Sequence, residues 1–167
     1  MDNFGLIQVV NLLPPKDISA AAFSTAYVNM KNFRSVEFII SVGANGAGTK
    51  AVLLKEAQDI SGTSAATLVP VAPMNHYYTN AAAAASASID NDTYVKTTLT
   101  SGTFNIIAST NNLSYRLTVN ADQLSNSSSM THVGIGIATT SAASLVGAVA
   151  ILRDPRYADS TPPTAVD

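Results

Sequence analysis

The chain has 167 residues, no cysteine, 12% charged residues and a formal net charge of −2. That length supports one domain with its own core, and the missing cysteine excludes a disulfide framework, a thiolate zinc site and a thiol nucleophile. The slightly acidic balance argues against nucleic acid as a partner, and so few charges leave Ser, Thr, Asn and Ala to cover a surface that neighbours are expected to occupy.

The opening "MDNFGLIQVV" has an Asp and no basic run, so no targeting segment is expected and residues 1–5 read as an arm. "LIQVVNLL" (6–13) predicts a first strand, closed by Pro14 and Pro15. "ISAAAFSTAYVNM" (18–30) reads as extended. "RSVEFIISV" (34–42) is the clearest strand, with Val36, Phe38, Ile40 and Val42 on a core face and Glu37, Ile39 and Ser41 on the other.

The Gly-rich "GANGAG" (43–48) follows. Gly43 and Gly48 have the Walker A separation, but Thr49 precedes Lys50, the reverse of the order a phosphate loop needs, and no Walker B strand follows. The expectation is a mobile hairpin loop joining two antiparallel strands, the second being "KAVLLKEA" (50–57) with Val52, Leu54 and Glu56 on one face. "TLVPVAP" (67–73) is an edge or loop because of its prolines. The Ala-rich stretch 81–88 forms a short helix or a set of small side chains set closely against another chain.

"TYVKTTL" (93–99), "TFNIIAS" (103–109) and "LSYRLTV" (113–119) are separated by Ser-Gly and Asn-Asn turns, which predicts a meander. "ADQLSNSSS" is a turn-rich link with room for one helical turn. In "THVGIGIA" (131–138) Val133, Ile135 and Ile137 share a face, while Gly134 and Gly136 mark a close approach on the other, a face that subunits are expected to share. "SLVGAVAILR" (144–153) reads as a last strand buried on both faces. Residues 158–167 read as a flexible tail. Eight or nine strands and almost no amphipathic helix predict an all-β protein. The expected fold is an antiparallel β-sandwich, jelly-roll-like, with few short helices and a single domain over residues 1–157; a closed barrel is the alternative. The apolar stretch before residue 153 is too polar in its first half to span a bilayer, so no membrane partner is expected.

Chemistry-bearing residues are few. His76 and His132, with Asp90, Asp92 or Asp122, lack the short spacing of a metal site. "IDND" (89–92) has the acidity of part of a calcium loop without its spaced ligands. Tyr77, Tyr78 and Phe33 suggest an aromatic platform, or a core. In "RDPRY" (153–157) Arg153 and Arg156 flank Asp154, suited to fixing a strand end or to an ion pair between subunits. No catalytic, cofactor-binding or metal residue is assigned, no cofactor is implied, and enzymatic activity is not expected.

Four segments, "YVNMKNFRSVEFIISVGA", "AVLLKEAQDISG", "LSYRLTVNADQL" and "GAVAILRDPRY", together resemble small virion structural proteins of tailed bacteriophages, over most of residues 27–157. The resemblance implies that Lys31-Asn32-Phe33-Arg34 is the turn into the long strand, that Tyr115–Leu124 is a late strand and its exit, and that Arg156-Tyr157 is an end motif. It implies a role in the particle. The expected role is a capsid decoration or cement protein on the outer surface of the shell, with the major capsid protein and further copies of itself, as a homotrimer or homodimer, as partners. A minor tail or neck protein at the head-tail junction is the alternative, and a carbohydrate-binding module a more distant one.

Overall fold

A computed structural model of the chain describes residues 7–19, 22–80, 93–109, 111–125, 129–138 and 142–156. The arm at 1–5, the Ala-rich stretch 81–88, the acidic 89–92, Tyr157 and the tail 158–167 lie outside the described residues.

The alternating pattern of "FRSVEFIISVGAN" produces the longest strand, β4 (Phe33–Asn45). Val36, Phe38 and Ile40 are fully buried and Val42 nearly so, as the period-two pattern requires. β4 is central in a first sheet, formed with β1 (Ile7–Asp17), β12 (Ser144–Pro155), β10 (Leu113–Asn120), β7 (His76–Thr79) and β8 (Val95–Thr98), in the order β1-β12-β4-β10-β7-β8. The second sheet is built on β11 (His132–Ile137) and β5 (Lys50–Ala57). The short strands β2 (Phe23–Ser24) and β3 (Val28–Asn29) pair with β11, while β6 (Ala66–Thr67) and β9 (Thr103–Ile106) pair with β5. Each of these pairings is antiparallel.

The inner faces of the two sheets enclose one core. Val36, Phe38, Tyr115, Leu117, Ala150 and Leu152 of the first meet Val52, Leu54, Val133, Ile135 and Phe104 of the second. Tyr77 of β7 stacks on Phe104 of β9 at 4.5 Å, which fastens the sheets together near one edge. Burying each Val, Leu or Ile contributes about 1.5–3 kcal/mol. The fold is an all-β sandwich, as the pattern predicts, but its described strands number twelve because several two- to four-residue strands carry little period-two signal.

Five local expectations are corrected. First, β1 runs through Pro14 and Pro15 to Asp17; it is an edge strand whose register shifts between Leu13 and Lys16, where the missing N–H groups cost no ladder bond. Second, the Gly-rich segment joins no hairpin. β4 lies in one sheet and β5 in the other, so the segment turns a corner between sheets. It is also tied down: Gly46 N–H donates to Ala143 O at 2.8 Å, and Gly43 and Gly46 carbonyls accept from Asn112 and Ser109. Third, β8, β9 and β10 form no meander, since β9 crosses to the second sheet. The turn before it needs Gly102, whose φ is 68° and where a Cβ would come within 2.1 Å of the Leu68 carbonyl oxygen.

Fourth, the glycine face of β11 is covered by the chain itself, not left for a neighbouring subunit. A Cβ at Gly134 would meet the Tyr27 ring at 3.0 Å and one at Gly136 would meet Lys55 Cε at 2.9 Å. Fifth, β12 is buried on one face only. Val146, Ala148, Ala150 and Leu152 fill the core, but Leu145 is 43% exposed and Val149 and Ile151 are half-buried. The single helical turn expected after β10 is the 3-10 turn Ala121–Gln123. No helix among the described residues is long and apolar enough to cross a membrane.

Candidate functional site

Strand register sets out the open face of the first sheet row by row. One row reads Asn11, Val149, Ile39, Arg116, Tyr78, Lys96; the next reads Val9, Ile151, Glu37, Thr118; a third reads Ile7, Arg153, Ser35, Asn120. The β1, β12 and β4 side is aliphatic, with Ile7 at 45% and Val9 at 64% exposure. The middle is charged and the β7–β8 side is aromatic.

Glu37 organises the middle. Its position on β4 points away from the core, yet the residue is buried because two arginines close over it. Arg116 Nε donates to Glu37 Oε1 at 2.7 Å and Arg116 Nη2 donates to the same oxygen. Arg153 Nη2 donates to Glu37 Oε2. The Arg116 guanidinium also lies over the Tyr94 ring, 5.6 Å from its centre. Glu37, Tyr78, Tyr94, Arg116 and Thr118 line a hollow of about 410 Å³.

A second feature sits at one end of the sandwich. There the turn at Lys31 and Asn32 enters β4 at Phe33, β10 leaves through the 3-10 turn, and β12 ends at Pro155, just before Arg156. The described residues of the three segments implied by the phage resemblance thus come together at this end. Arg156 N–H donates to Asn32 O at 2.8 Å and Asn120 N–H donates to Gln123 Oε1 at 3.1 Å, which fixes the strand ends. Arg34, Asp122, Asp154 and Arg156 line an open recess of about 560 Å³, two cations facing two anions.

The other candidate residues disperse. His76 lies on β7 edge-on to Tyr78 at 5.1 Å, and His132 is buried on β11 in the other sheet with its Nδ1 2.8 Å from Thr131 Oγ1. Asp122 is at the end recess, and Asp90 and Asp92 lie outside the described residues. Among the described residues no group of three or more His, Asp or Glu is placed to hold a metal. Phe33 and Tyr77 belong to the interior while Tyr78 faces outward, so those three form no platform. Arg153 pairs with Glu37 of its own chain, and the backbone of Arg156 anchors a strand end. Lys50 is fully buried, its Nζ donating to the Gly46 and Gly48 carbonyls at 3.5 and 3.3 Å; burial pushes its ammonium below the usual lysine range. It closes the corner from inside, with its ammonium turned to backbone carbonyls.

The Glu37 cluster escapes sequence reasoning. A Glu at an outward position of an apolar strand is its one local signal; Arg116 and Arg153 come from positions 79 and 116 residues away, and only the register brings them together.

No family model matches the chain, and no curated protein matches it. Among solved structures it is similar to the crystal structure of SPBc2 prophage-derived protein YomS, at 7% identity, covering 87% of this chain and 92% of that one, with a TM-score of 0.41. A likeness at that level carries no argument about this chain's function.

Proposed function

We propose that the chain is a structural protein of a tailed-phage virion that decorates and stabilises the capsid shell from outside. The observation that carries this reading is the open face of the first sheet. Ile7, Val9, Ile39, Leu145, Val149 and Ile151 line a surface with no cover among the described residues, beside an ion-pair cluster that holds its side chains in place. An aliphatic patch of this kind, exposed at Ile7, Val9 and Leu145 and half-buried at Ile39, Val149 and Ile151, marks a surface that another protein covers. The segments that resemble phage virion proteins agree with it, and three of them build one end of the same sandwich.

In this reading the major capsid protein is the partner, and copies of the chain assemble as a homotrimer. Shells offer three-fold positions ringed by repeated surfaces, where a cyclic oligomer engages several copies at once. A ring at the neck or tail would use the same kind of face. Copy number in purified particles separates the two: on the order of hundreds supports the shell, and about six or twelve supports a ring. Imaging that finds the chain only in the tail would overturn the decoration reading. Light scattering tests the trimer, which fails if the mass stays at the 17.3 kDa of one chain.

A further inference from the structure

The open face of the first sheet contains a hollow whose chemistry specifies what enters it. One carboxylate, Glu37, is divided between two guanidiniums, so the cluster retains positive charge. The side chains of Arg116 and Arg153 remain 44% and 46% exposed. Lys96, exposed at the end of the Arg116 row, adds a third cation. Among the described residues this face is therefore cationic, on a chain whose net charge is −2. Two copies of the face laid together would set like charges against each other, so the complementary surface is acidic and is not this same face of a second copy; on the docking reading it belongs to the shell protein.

We propose that the hollow lined by Glu37, Tyr78, Tyr94, Arg116 and Thr118 receives an aspartate or glutamate side chain of that partner protein. The inference rests on the docking reading above. Arg116 is oriented before any partner arrives. Glu37 fixes its Nε edge, Tyr94 lies beneath it, and Tyr94 is fixed in turn by donating its hydroxyl to Ser114 Oγ at 3.2 Å. A guanidinium held in this way loses less freedom when it forms a charge-assisted bond. The hydroxyls of Thr118 and Tyr78 supply further donors around the hollow. A carboxylated sugar shares the carboxylate but has no use for the aliphatic rows alongside. Ile39, Val149, Ile151 and Val9 match an apolar protein surface around the acidic residue.

The test titrates the intact protein with N-acetyl-aspartate N-methylamide, followed by NMR at the Arg116 Nε–H and the Tyr78 and Tyr94 rings. The expected result is saturable shifts at these groups with a Kd on the order of millimolar. Binding should weaken at least about tenfold in Arg116→Gln, and the asparagine analogue should give no saturation. Thr118→Val, which leaves the ion pairs in place, should weaken binding several-fold and serves if Arg116→Gln does not fold. Equal shifts with the asparagine analogue, or no shift at Arg116, would overturn the proposal. So would glucuronate binding more than about tenfold tighter than the aspartate probe, which would move the site to acidic sugars. In parallel, Arg116→Gln should bind phage shells at least about tenfold more weakly than the wild type. If the wild type binds shells and the titration is flat, the hollow proposal alone falls. If the wild type ignores shells and the titration saturates, the decoration reading falls and the carboxylate site stands.

Discussion

The two faces of β4 use similar residue types for opposite ends. On the inner face Val36, Phe38, Ile40 and Val42 are sealed by the second sheet. On the outer face Glu37 is covered by Arg116 and Arg153, and the half-buried Ile39 sits beside them among other aliphatics with no second layer of described chain above. The inner face is complete in one molecule. The outer face has the composition of an interior at its aliphatic side and a fixed charge cluster at its centre, which is how an interface is built: apolar area for affinity, charge for register. On the proposed reading, stability and assembly reside on opposite sides of one strand.

Substitutions on the two faces should therefore separate. The largest effect belongs to the inner face: Phe38→Ala should lower unfolding free energy by about 3–5 kcal/mol in a urea titration. A loss under about 1 kcal/mol would deny that this face is the core. Glu37→Gln comes next. It leaves two guanidiniums without their shared carboxylate and should cost roughly 1–3 kcal/mol, moderated because both arginines are half in solvent.

The seating of β1, which carries Ile7 and Val9, gives a smaller effect that depends on pH. Asp17 Oδ1 accepts from Ser19 N–H at 2.9 Å and from Ser144 N–H at 3.1 Å, and these bonds hold its carboxyl below the usual 3.8. The folded protein then binds fewer protons than the unfolded chain near that pH. The contribution of Asp17 is present above 3.8 and is lost as pH falls through the lowered value. Urea midpoints of wild type and Asp17→Ala should differ at neutral pH and converge in acid; a gap that persists unchanged in acid would rule out this role for the carboxylate. The smallest effect on the free molecule belongs to the outer face. Val9→Ser should change stability by no more than about 0.5 kcal/mol, while shell binding falls.

Legibility in the sequence follows the same division. The inner face is readable because burial on one side imposes strict alternation, and Val36, Phe38, Tyr115, Leu117, Val133 and Ile135 all lie where alternation puts them. Connectivity is not readable. Whether "GANGAG" closes a hairpin or turns a corner depends on which sheet accepts β5, and both outcomes share the same local chemistry. The run "SLVGAVAILR" reads as doubly buried because its outer residues are apolar, yet the described residues cover only one side. The mismatch agrees with the proposed docking surface, since an apolar strand face that the described residues leave open is what a partner-bound strand presents. Glu37, Arg116 and Arg153 are invisible as a group, because register across three strands is a property of the whole sheet.

If the reading of β4 holds, the outer face of the first sheet is free in the isolated protein and covered in the particle. The chain has no cysteine, so a single introduced thiol reports one position without background. Val9→Cys and, as an exposed control in the sheet-to-sheet corner, Thr49→Cys should be alkylated at comparable rates in the free protein. On assembled shells the thiol at position 9 should react at least about tenfold more slowly while that at position 49 is little changed. Equal alkylation of both thiols on the particle would mean that the outer face stays open there, and the docking surface would have to lie elsewhere.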